Sequence, residues 1–136
     1  MTDLLVLADR VEKLTGPDRD LEAEIWLACT PGATRDKWSY VHRATGRECT
    51  VDETRDATGR LIIVPEYTTS IDAALTLLPE DCGWLVGNGR TRPDEPLGGA
   101  RITSLNGDTV IAEAEAATPC LALLAAILRA RQTEGR

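Results

Sequence analysis

The strongest constraint in this 136-residue chain is a helix too apolar for an ordinary surface position. Thr118-Pro119 supplies an N-cap and then a proline at the first helical position, so a helix opens there and runs to about Arg131. Leu121, Leu123, Leu124, Ile127 and Leu128 spread over nearly half its circumference, and alanines fill much of the remainder. A helix lying on a single sheet needs a narrower stripe. Two arrangements satisfy it: the helix is sandwiched inside the protomer, or its Leu123/Ile127 face meets another copy in a homo-oligomer.

The rest of the chain reads as smaller elements to be placed around that helix. Leu4, Leu7, Val11 and Leu14 recur at helical spacing, widened by Leu5 and Ala8. Gly16-Pro17 ends that helix and starts a second, in which Leu21, Ile25 and Ala28 form the buried stripe flanked by Trp26 and Leu27. Asp18, Asp20 and Glu22 complement the second helix's N-terminal dipole. Trp38 to Val41, Glu48 to Val51 and Arg60 to Val64 are rich in aromatic, β-branched and aliphatic residues and predict strands.

Further on, Thr69 or Ser70 caps a short helix carrying Ile71, Ala74, Leu75 and Leu78, stopped by Pro79. Cys82 to Asn88 predicts a strand, and Gly89 to Gly99 a loop. Arg101 to Leu105 and Thr109 to Glu115 flank Asn106-Gly107, a hairpin signal in which both turn residues tolerate positive φ. No repeat or linker divides the chain. The expectation is one α+β domain over 1–136, an α/β/α-type sandwich with a mostly antiparallel sheet. It has an N-terminal helical hairpin and a helix-strand-strand-strand-helix second half.

Charge and cysteine usage exclude several function classes. Fifteen basic residues against 22 acidic ones give −7, which repels nucleic acid and anionic membrane in bulk. The order helix, three strands, helix is also that of a double-stranded RNA-binding domain, but the start of the last helix, which would carry its basic cluster, reads Thr118-Pro119-Cys120-Leu121, after Glu113 and Glu115, so no nucleic-acid partner is expected. No apolar run reaches the ~18–20 residues of a membrane span. Met1-Thr2-Asp3 brings acid where a secretory leader carries Lys or Arg. Cys29, Cys49, Cys82 and Cys120 have no metal or redox spacing, and His42 is the one histidine, so neither metal nor cofactor is expected. A Cys49–His42 couple lacks an evident acid to orient it, so catalysis is disfavoured.

Tyr67-Thr68-Thr69-Ser70-Ile71-Asp72-Ala73-Ala74-Leu75, then Leu77-Leu78-Pro79 and Trp84, resembles the phage ABA sandwich domain family. So do Ala117 to Ala126 and the opening Leu4 to Arg19. The resemblance implies a small phage or prophage protein of uncharacterised function, with a sheet between helical layers, at work in the cytoplasm of the infected bacterial host. The stretch from Gly32 to Ile63 departs from the short connection the resemblance implies.

Topological parity then locates a candidate site. If each short connection from Ser70 onward reverses the chain, the helices opening at Ser70 and Thr118 start at the same end of the sheet. The Gly89–Gly99 loop, with Arg90 and Arg92, arrives at that end too. Unpaired backbone N–H groups, two guanidinium groups and the hydroxyls of Thr68, Thr69, Ser70 and Thr118 would form an anion pocket. Tyr67 and Trp84 would offer a flat surface to a base, unless Trp84 turns into the core. Against this, Ser70 and Thr118 are good caps that need no ligand. The expected function is non-enzymatic capture of a small anionic, nucleotide-like ligand, with sequestration of a host immune signal the phage version of it. The alternative is an acidic inhibitor that binds a host defence or nucleic-acid-binding protein.

Overall fold

The computed structural model describes residues 3–88, 94 and 96–134. Its elements run α1 (Leu4–Glu12), α2 (Arg19–Cys29), β1 (Thr34–Val41), β2 (Glu48–Arg55) and β3 (Leu61–Ile62). They continue with α3 (Ile71–Leu75), β4 (Cys82–Asn88), β5 (Gly98–Ser104), β6 (Val110–Ala116) and α4 (Pro119–Glu134). This is the expected α+β fold, with a helical hairpin first and a helix, three strands and a helix last. Two antiparallel three-stranded sheets are present, ordered β1-β2-β3 and β4-β5-β6, so the 34–62 strands form a sheet of their own.

α4 is the centre of the molecule. Every residue from Leu121 to Leu128 is at or below 1% exposure, alanines included. Leu123 and Ile127 are fully covered by the chain's own elements, so the helix face expected to meet a second copy is not available to one. The β4-β5-β6 sheet packs on α4 through Val86, Ala100, Ile102, Ala112 and Ala114, and α1 contributes Leu7, Ala8 and Val11 to the same core. α3 also packs on α4. The layers thus stack as sheet, α4 and then α1. A helix with apolar residues all round is stable in such a middle layer, where both faces leave water.

Local chemistry sets the boundaries. Asp3 caps α1 by accepting from the Leu5 N–H at 2.8 Å, and Asp18 caps α2 by accepting from the Leu21 N–H at 2.9 Å. α3 ends at Leu75, short of the Leu78 expected from spacing. Thr76, Leu77 and Leu78 each donate to the carbonyl three residues back, a tightened turn that leads into Pro79. β5 begins at Gly98 rather than Arg101, so part of the expected loop is strand. At the last hairpin only Gly107 has positive φ, 80°. Asn106 instead uses its side-chain oxygen to accept from the Ser104 hydroxyl and the Asp108 N–H, which closes a longer turn than a two-residue one.

Gly98 fixes the sheet against the start of α4. A Cβ on it would lie 2.3 Å from the Thr118 C and O atoms and 2.5 Å from the Pro119 N. Only a glycine permits that approach.

Candidate functional site

The helix starts do converge. Thr68, Thr69 and Ile71, from the turn into α3, line one cavity together with Thr118, Pro119, Cys120 and Leu121 of the α4 start and with Gly16 and Pro17. Its volume is about 340 Å3. Gly98 lies against Thr118, so the segment between β4 and β5 rejoins the sheet at this same end. Arg90 and Arg92 lie in that segment and outside the described residues.

The groups that would hold a ligand are partly committed to the fold. In the first turn of α4, the Thr118 hydroxyl accepts from the Leu121 N–H at 3.2 Å, and the Thr118 carbonyl accepts from the Ala122 N–H. Pro119 has no N–H to satisfy, and the Cys120 N–H, a first-turn donor, has no partner among the described residues. The Ser70 hydroxyl accepts from the Ala73 N–H at 3.1 Å and is the cap of α3. α3 has five residues, too few to sum to a strong dipole. The α4 start, on a sixteen-residue helix, is the stronger of the two.

Thr68 is engaged by a residue whose role the sequence hides. Its N–H and hydroxyl both donate to Glu22 Oε2, at 2.8 and 2.6 Å, and its hydroxyl oxygen accepts from the Asp18 N–H. Glu22 is buried, and its other oxygen accepts from Arg19 at 2.7 Å. The Arg19 guanidinium in turn reaches the Val64 carbonyl. A buried carboxylate with three donors is satisfied, and here it joins α2 to the wall of the cavity. Its place in the first helical turn points to dipole pairing; nothing local signals a partner 46 residues away.

Two expected residues do not serve as a platform. Tyr67 is 3% exposed. Burial, reinforced by the neighbouring Cys29 and Glu22 and opposed by Arg131, pushes its phenol up to about 12. The ring belongs to the core, and Thr68 beside it is buried as well, at 3% exposure, so of this turn it is Thr69 that faces outward. Trp84 lies opposite Ile102, on the α4 side of the edge strand β4, 41% exposed and away from the cavity lining. Thr69 is exposed at the rim. Beneath it Cys120 is buried, its sulfur 3.4 Å from the Tyr67 carbonyl, and its thiol is pushed up to about 11 by burial and by Glu22.

Two other concavities are lined by described residues. One, of about 680 Å3, lies on the outer face of the β4-β5-β6 sheet, with Gly87 and Gly99 in its floor and Glu12, Glu113 and Glu115 around it. Its Arg101 is held by Glu113 at 2.9 Å. The second, of about 560 Å3, separates α2 from β2 and β3, and its Arg35 is neutralised by Asp20 and Asp52.

His42 and Cys49 are not coupled to each other. The imidazole Nδ1 lies 3.5 Å from the Thr45 hydroxyl, while the Cys49 thiol is directed at the Arg47 carbonyl, 3.9 Å away. Among the described residues no group of three or more His, Cys, Asp or Glu side chains is placed to hold a metal ion, and no helix is long and apolar enough to cross a membrane. Comparison with protein-family models, curated proteins and solved structures finds no match to this chain.

Proposed function

We propose that this chain is a non-enzymatic binding protein that holds a small anionic, nucleotide-sized ligand where α4 begins. The observation that carries the reading is the single cavity shared by Thr68, Thr69, Thr118 and the first turn of α4. Its 340 Å3 lies in the range of small-molecule sites. A helix start with a spare N–H favours a phosphate oxygen, and the hydroxyls of Thr69 and Thr118 add polar contacts. Arg90 and Arg92, which lie outside the described residues, would supply the positive charge. The apolar part of the lining, Ile71, Pro119 and Leu121, suits the flat side of a base or sugar. With the resemblance to phage proteins, the reading becomes sequestration of a host immune nucleotide signal inside the infected cell. Sequestration requires affinity and abundance and no catalytic group.

Calorimetry against cyclic dinucleotides and ADP-ribose derivatives tests this. At least one compound should bind and be recovered chemically unchanged, and Arg90→Ala/Arg92→Ala should weaken it by tenfold or more. No heat from any compound in the panel removes the reading. The acidic-inhibitor alternative is favoured by a different observation, the Glu12, Glu113 and Glu115 rim of the open sheet face. It predicts capture of a basic protein surface that Glu113→Lys/Glu115→Lys abolishes and the arginine pair leaves intact.

A further inference from the structure

We propose that β1 is a dimerisation strand, pairing antiparallel with β1 of a second copy about a two-fold axis at Trp38, so that the two small sheets become one of six strands.

The free edge of β1 is the first observation. β1 pairs with β2 over all eight residues without a bulge. The His42 N–H donates to the Arg47 carbonyl directly opposite it, so 42/47 is a hydrogen-bonded pair. Alternation then bonds Tyr40, Trp38 and Asp36 to β2 and turns the N–H and C=O groups of Arg35, Lys37, Ser39 and Val41 outward. Asp56 donating to Arg60 on the far side of β2 obeys the same alternation. No group among the described residues bonds that outer edge. Edges of this kind are ordinarily shortened, bulged, covered, broken by proline or studded with charge; β1 has only the last of these, Arg35, Asp36 and Lys37 in its first half, and none from Trp38 to Val41.

The second observation is what the strand displays. Trp38 is 50% exposed and Tyr40 44%, with ring centres 5.7 Å apart on one face. Val41 is exposed at the strand end. Trp38 and Tyr40 occupy positions that, across the free edge, are non-hydrogen-bonded, where opposed side chains come closest.

Charge selects the occupant and the register. The whole chain carries −7, yet residues 34–55 hold five basic residues against four acidic ones, so two copies meeting there avoid the repulsion of every acidic face. A two-fold axis on Asp36 or Lys37 sets like charges opposite each other. An axis on Ser39 opposes Arg35 to Arg43 of the second copy, and one on Tyr40 opposes Lys37 to Arg43. With the axis on Trp38, Lys37 faces Ser39, Asp36 faces the Tyr40 ring and its hydroxyl, and Arg35 faces Val41. No like charges meet. β4 is also an edge strand, but its Gly83 and Gly87 specify register weakly. Two eight-residue edges with their aromatics remove on the order of 1,000 Å2 from water, the lower end of specific interfaces, so the dimer is concentration-dependent.

Sedimentation velocity across a concentration series tests the proposal. The weight-average mass should climb from the 14.7 kDa monomer toward twice that value. Ser39→Pro should hold it at the monomer, since the Ser39 N–H serves only the free edge and β1–β2 pairing survives. Trp38→Lys should do the same through like charges on the axis, should the proline variant fail to fold. Leu85→Lys, on β4, should leave dimerisation intact. In a Cys49→Ser background, Trp38→Cys should form an oxidised dimer and Lys37→Cys should not. A chain monomeric at all concentrations, or a dimer that survives both β1 substitutions or is lost with Leu85→Lys, overturns the proposal.

Discussion

Two adjacent glycines should respond oppositely to the same substitution. At Gly98 the added methyl would meet the Thr118 carbonyl carbon and oxygen at 2.3 Å and the Pro119 nitrogen at 2.5 Å, all backbone atoms. Ordinary contacts of this type lie near ~3.5 Å, so about 1 Å must be found. No side chain can rotate to provide it. β5 must lift from the α4 start, and with it Ala100 and Ile102, both in the core. Overpacking of this severity with partial loss of two buried contacts costs about 3–5 kcal/mol. For a chain of this size that lowers Tm by roughly 10–20 °C. At Gly99 a Cβ meets nothing within 4 Å, on the open face of the sheet. Gly99→Ala should be neutral or stabilise by up to about 1 kcal/mol through the unfolded state. Urea unfolding followed by tryptophan fluorescence reads both. A Gly98→Ala protein within about 0.5 kcal/mol of the parent would refute the close approach of Gly98 to Thr118.

The buried carboxylate gives a second prediction. Glu22→Ala strips Thr68 of its acceptor and leaves a void, costing about 3 kcal/mol, while Glu22→Gln keeps an acceptor oxygen and costs about 1–2; equal losses in urea unfolding would contradict the assigned network. A third concerns the clamp between α1 and α4, where Arg129 bonds Asp9 at 2.8 Å, Glu12, and the Glu113 carbonyl. The guanidinium holds the Glu12 carboxyl below the usual range, against the effect of burial. A depressed folded value means the contribution is fully present above the unfolded glutamate value of ~4.3 and fades as pH falls through the folded one. Stability should therefore drop on acidification below about pH 4.3, and Arg129→Ala should flatten that limb while lowering stability at pH 7. An unchanged acid limb in the variant would show that the ion pair does not set it.

Legibility in the sequence followed the range of each interaction. α4 and its cap are written in consecutive residues, and so are β4 and the reversal at Gly107. Parity from Ser70 onward placed two helix starts together, and the shared cavity agrees. Features that depend on distant partners were not readable. Glu22 looks like a dipole-pairing acid until Thr68 arrives from 46 positions away. Tyr67 and Thr68 are neighbours with a shared motif, yet the first is core and the second is tied to α2. The early start of β5 was hidden because Gly98 and Gly99 read as loop, whereas Gly98 is in a strand for the sake of contact with Thr118. The coverage of Leu123 and Ile127 could not be read from their helix alone, since it needs both the sheet and α1.

That coverage has a consequence for the rest of the surface. α4 gathers the apolar contacts of α1, α3, β4, β5 and β6, and it leaves the β1-β2-β3 sheet with one buried residue, Thr54. A three-stranded sheet whose third strand has two residues is close to a bare hairpin, marginal by itself in water. Ile62 packs against the core, and Asp20 of α2 bonds both Arg35 and Lys37 of β1. Exposed pairs of this kind contribute about 0–1 kcal/mol each, enough to orient the hairpin and too little to explain eight paired residues ending in exposed aromatics. Burial of the Trp38 face in the proposed dimer would add stabilisation that these contacts do not supply. Among the described residues Trp38 and Tyr40 stay 50% and 44% exposed, and the proposed second copy along the free edge would cover them.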